Sequence, residues 1–129
     1  MGTIDWISLG YNFGSWEEKD VWRIALPSHE MAVSDFLWHF EVPYWENDDG
    51  EEFAVSPWDV VRGKSGSSKG RLRTEQADPN FPIDVLHHNE KWFVLDGLHR
   101  LTKAYLCGQE KISVRIFPNA RLAEIVTSG

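Results

Sequence analysis

Cysteine is almost absent from this chain: Cys107 is the one thiol among 129 residues. A single thiol excludes an internal disulfide framework and suits a reducing compartment. Long apolar runs are missing too, and none approaches the length that spans a bilayer. The opening stretch Met1-Gly2-Thr3-Ile4-Asp5 has neither a basic flank nor an apolar segment, so no secretory leader is expected. Bases are scarce in the first half. Residues 1–60 carry thirteen acids against Lys19 and Arg23, a charge of −11, whereas residues 61–129 carry seven acids and eleven bases, a charge of +4. The acidic half repels a duplex backbone and the basic half suits a small anion, so a local phosphate site is expected without an extended nucleic-acid footprint.

What is present reads as one domain over 1–129. Apolar residues make up 42% and charged residues 26%, ordinary values for a globule with a real core. The most informative stretch runs from Lys91 to Gly108. Trp92-Phe93-Val94-Leu95 is a bulky apolar run too short for a helix, followed at once by the turn pair Asp96-Gly97. Leu98, Leu101, Ala104 and Tyr105 then recur at helical spacing, and Gly108 stands where a left-handed C-cap belongs. A helix N-terminus attracts anions through its unpaired N–H groups and its dipole. His99 and Arg100 oppose that dipole in the first turn and Lys103 follows one turn on, an arrangement that a bound phosphate reconciles. The bland alternative is a turn with solvated bases in which Asp96 merely caps the helix.

Elsewhere the pattern predicts an edge strand over Ile4–Leu9 and a strand over Val21–Leu26. It then predicts a helix capped by Ser28 that buries Val33, Phe36, Leu37 and Phe40. His29 and His39 read as structural or solvated. Glu41–Glu52 reads as a loop whose acidic run lacks the spacing of a calcium loop. Ser56-Pro57-Trp58-Asp59 is a helix start. Residues 61–73, rich in Gly, Ser and bases, read as a flexible basic loop that either closes over a ligand's phosphates or is a plain linker. The segment Gly63-Lys64-Ser65 is not a P-loop, because Trp58 stands where the first glycine is required. Phe81–Leu86 and Lys111–Phe117 read as strands, with Asn89-Glu90 as a hairpin turn and Arg121–Val126 as a last helical turn. His87 and His88 face opposite ways on their strand. Cys107 reads as a small buried hydrophobe and the seven tryptophans mostly as core.

Asp96-Gly97-Leu98-His99-Arg100, with a strand before it and a small-residue helix after it, resembles the G-x-H-R box of the ParB/sulfiredoxin superfamily. The resemblance extends over residues 77–117, including the flanking segments Phe81–Leu86 and Gly108–Ile116. It implies an α+β fold, a small mixed β-sheet flanked by helices. It also implies nucleotide binding (ATP, ADP or CTP, with magnesium) at Gly97, Leu98, His99 and Arg100, with Lys103 in reach. Any chemistry would be phosphoryl transfer or hydrolysis, with Asp96 or Asp78 as metal ligand or base and Glu75 as a further candidate. Leu98 replaces the cysteine of the sulfiredoxin box, so sulfinic-acid reduction is not expected. Centromere-type DNA reading is not expected either, since only a short stretch follows the box. The expected setting is a bacterial or phage cytoplasm, with no membrane partner. Two other classes stay open: a non-enzymatic interaction or inhibitor module that binds a protein partner, and a metal-dependent nuclease.

Overall fold

The hairpin β3 (Ile83–His88) and β4 (Lys91–Asp96) is the centre of the molecule. Its turn residues Asn89 and Glu90 both take left-handed backbone, φ 50° and 64°, the pairing that matches the twist of a two-residue hairpin. The computed structural model describes residues 4–11 and 13–127, so the Met1–Thr3 part of the opening stretch lies outside the described residues. From β4 the chain turns into helix α5 (Leu98–Leu106) and returns as β5 (Lys111–Ile116), parallel to β3. Strand β2 (Ser28–Ala32) pairs antiparallel with β5, giving a four-stranded mixed sheet in the order β2-β5-β3-β4. A second, two-stranded sheet joins β1 (Ser15–Trp16) to β6 (Val126–Thr127). The domain is α+β.

The unbroken burial of Ile83-Asp84-Val85-Leu86 follows from a sheet covered on both faces. On one face Ile83, Val85, Val94, Ile112 and Val114 pack with Leu101 and Ala104 of α5 and with Val33, Phe36 and Phe40. On the other, Leu86 and Leu95 pack with Val21, Phe117 and Ile125. The free edge of β4 is covered by indole N–H groups: Trp38 donates to Trp92 O at 3.0 Å and Trp16 to Leu95 O at 3.0 Å. This is where the tryptophans depart from expectation. None of the seven is fully buried, because a ring with one polar end works best at the margin of a core.

Several local expectations are corrected. Ile4–Leu9 is not a strand; it holds the short helix α1 (Trp6–Leu9), nucleated by Asp5, whose carboxylate accepts from Ser8 N and Ser8 Oγ. Val21–Leu26 is not a strand either. Helix α2 (Glu18–Trp22) runs into it, with Glu18 and Asp20 in the favourable first turn and Val21 fully buried. Ser28 begins β2 instead of capping a helix; a 3₁₀-helix follows over Val33–Glu41 and buries Val33, Phe36 and Phe40 of the expected set, while Leu37 is only half-buried. His29 is exposed, and His39 is wholly buried with Nδ1 2.5 Å from the Tyr44 hydroxyl. Burial lowers the His39 imidazole to about 3, so it stays neutral. Cys107 is exposed, because α5 turns its apolar face at Leu101 and Ala104 to the core.

Residues 61–73 are not one loop. They contain the end of helix α3 (Pro57–Arg62), a turn, and much of helix α4 (Ser68–Gln76). Helix α3 begins with the expected Ser56–Asp59 capping box. Helix α4 is capped from a distance. The Asp48 carboxylate accepts from Ser68 N at 3.2 Å and Lys69 N at 2.9 Å, so the acidic loop serves as the N-terminal anchor of a basic helix. Gly70 lets α4 approach α3: a Cβ there would lie 3.1 Å from Val60 Cγ2.

Candidate functional site

Gly97 sets the geometry of the box. Its φ of 114° is open to glycine and strained for other residues, and a Cβ would sit 2.5 Å from Ile83 Cγ2. The turn it makes aims the first turn of α5 (Leu98, His99, Arg100) into a cleft of about 930 Å³. No side chain caps this helix. In particular Asp96 does not: its Oδ2 accepts from Trp22 Nε1 at 2.7 Å and from Arg100 Nη2 at 2.8 Å. The N-terminal amides of α5 are therefore left to whatever enters the cleft.

The cations around this turn have unequal freedom. Arg100 is braced: Nη1 donates to Pro82 O at 2.6 Å, Nη2 to Asp96, and its guanidinium lies 5.1 Å from the Phe81 ring centre. Arg115 is held too, with Nε donating to Asp84 Oδ1 at 2.6 Å and its remaining nitrogens to Ile24 O and Val21 O. Burial pushes the Asp84 carboxyl up, against the opposing pull of Arg115. Arg73 of α4 also lines the cleft, and among the described residues it has neither a hydrogen-bond nor an ion-pair partner. It is the cation ready for an incoming anion.

No family model, curated protein or solved structure matches this chain. The site is therefore read from its own chemistry. His99 lies in the cleft wall, its ring stacked on Trp45 at 4.1 Å with 9° between planes. Nδ1 is 3.2 Å from the hydroxyl of the buried Thr74, while Nε2 is buried without a partner. Burial, reinforced by the nearby Arg73, lowers the imidazole to about 4. At neutral pH His99 is a hydrogen-bonding group with no charge to contribute.

The expected site residues thus divide. Asp96, Gly97, Leu98, His99, Arg100 and Asp78 come together around one cleft. Asp78 stands exposed on its rim, with Oδ1 accepting from Asn80 N at 2.9 Å. Lys103 does not join them. Its ammonium donates to Glu75 O at 2.7 Å and ties α5 to the last turn of α4, which neutralises an orphan carbonyl there. Glu75 contributes that carbonyl and its side chain is not in the cleft wall. Trp22, Trp45, Arg73, Thr74, Asp84 and Arg115 escaped the sequence reading, being brought to the box from 12 to 74 residues away along the chain. Only Arg73 carried a signal, as one of five bases in an acid-free stretch. Among the described residues no three His, Cys, Asp or Glu side chains converge as a metal-binding set.

Proposed function

We propose that this cleft binds a nucleotide or another phosphorylated small molecule, with a phosphate seated on the first turn of α5. The observation that carries the reading is the uncapped N-terminus of α5 opening into a 930 Å³ cleft beside the unpaired Arg73. Backbone N–H groups of Leu98, His99 and Arg100 hold phosphate oxygens, and Arg73 supplies the charge that His99 cannot. Arg100 fixes the turn through Asp96 and Pro82 while adding field. Within this proposal the fold is of ParB/sulfiredoxin type. A magnesium ion would arrive with the phosphates and take oxygen ligands, and Asp78 on the rim, one oxygen of which accepts from Asn80 N, is a carboxylate that could meet it. Asp96 is less available, held by Trp22 and Arg100. Such a metal–nucleotide pair supplies phosphoryl-transfer or hydrolytic chemistry; this chain's residues bind and orient it.

Calorimetric titration with ATP, ADP and CTP, with and without magnesium, tests the reading. Micromolar binding that weakens at least tenfold in Arg73→Ala is expected. Absence of heat with every nucleotide in a folded sample contradicts it. A second reading, a protein-binding module, rests on the large apolar rings at the cleft rim: Trp22 is 59% and Phe81 62% exposed. Under that reading Trp22→Ala abolishes partner capture and nucleotides leave capture unchanged. No observation favours a nuclease.

A further inference from the structure

A second groove, of about 440 Å³, adjoins the cleft. Trp45, Arg73 and His99 line both cavities, so the Trp45–His99 stack is a shared wall. Glu52 lies in the groove and, among the described residues, has no ion-pair or hydrogen-bond partner. The neighbouring Lys69 and Glu46 neutralise each other at 3.5 Å. The apolar lining comes from Tyr44 and Phe53, held from behind by Trp6, which stacks on Tyr44 at 6.0 Å and meets Phe53 edge-on at 5.8 Å. A carboxylate in a groove lined by aromatic rings is chemistry that suits an organic ammonium. The two adjoining cavities thus share an unpaired guanidinium, that of Arg73, and the second also holds an unpaired carboxylate. His99, part of the shared wall, has an Nε2 that is buried without a hydrogen-bond partner.

We propose that the ligand is a phosphorylated amine: its phosphate sits on α5 and Arg73, and its ammonium lies in the second groove against Glu52, Tyr44 and Phe53. This assignment rests on the phosphate-binding reading above and names the class of molecule the site selects. It excludes a ligand whose far end is anionic, which Glu52 repels.

The test compares phosphoethanolamine with ethyl phosphate, of nearly equal size but lacking the amine, by calorimetry on the full chain and on Glu52→Gln. Glu52 is exposed, so the variant keeps the fold. Phosphoethanolamine is expected to bind about tenfold more tightly than ethyl phosphate. Glu52→Gln is expected to erase that preference and leave ethyl phosphate unchanged. Equal affinities in the parent chain, or a preference that survives Glu52→Gln, overturn the amine assignment while the phosphate site stands. Failure of both phosphates and of every nucleotide to bind overturns the phosphate reading itself and the assignment with it.

Discussion

At the scale of single residues, Gly97, the buried His39 and the half-buried His99 make the sharpest demands. Gly97→Ala places a Cβ inside contact distance of Ile83 and forces a left-handed backbone on alanine. A loss of more than about 2 kcal/mol in urea denaturation is expected. A midpoint unchanged from the parent would show that this turn is not as tight as described. His99 and His39 set the acid limit. Both titrate below the ordinary imidazole value, at about 4 and about 3, because burial disfavours the charged ring. The unfolded chain therefore binds more protons between pH 6.5 and 4, so stability is complete above pH 6.5 and falls as pH drops through that window. For His99 alone the drop is on the order of 3 kcal/mol. Asp84 works in the opposite sense: its raised carboxyl ionises more readily in the unfolded chain, so its contribution declines as pH rises through the carboxylate range. NMR titration of the imidazoles reads the two histidines separately. A His99 ring that titrates near 6.5 would contradict its half-buried, unprotonated placement.

Among the elements, α4 carries the heaviest functional burden with the least local support. Its sequence, Ser68 to Gln76, has no apolar stripe, and its N-cap residue Ser67 makes no capping hydrogen bond. The cap comes from Asp48, twenty residues earlier, and the C-terminal carbonyl of Glu75 is met by Lys103 of α5. Asp48→Ala is accordingly expected to lower the unfolding midpoint and, by loosening Arg73, to weaken ligand binding as well. An effect on stability alone would separate α4 from the site. Ser56→Ala removes the α3 capping box and is expected to cost about 1 kcal/mol, with little effect on binding. These elements also show which parts of the fold can be read locally. The β3–β4 hairpin, β5, α5 and the α3 start declare themselves through apolar runs, turn pairs and a capping box within a few residues. Helix α4 does not, because its cap and its packing through Gly70 come from other segments. Helices α1 and α2 were hidden for a related reason: the Asp5 cap of α1 and the acidic first turn of α2 outweigh a short apolar alternation. The candidate site shows the same division. Asp96 to Arg100 is a continuous segment, whereas Trp22 reaches Asp96 across 74 residues and Arg73 reaches the cleft by tertiary packing.

Across the whole molecule, charge is distributed so that the basic second half supplies most of the cleft wall while the acidic first half supplies α2, the Asp48 anchor and the carboxylates of the second groove. Among the described residues no helix is long and apolar enough to cross a membrane. The account turns on whether the first turn of α5 is an anion site. Amide proton–nitrogen NMR spectra, recorded while ATP is added to the pure protein, address it directly. Binding at this turn predicts saturable shifts concentrated at Leu98, His99 and Arg100, with Arg73 responding alongside them. Shifts confined to other surfaces, or none at these three amides up to millimolar ATP, would contradict it.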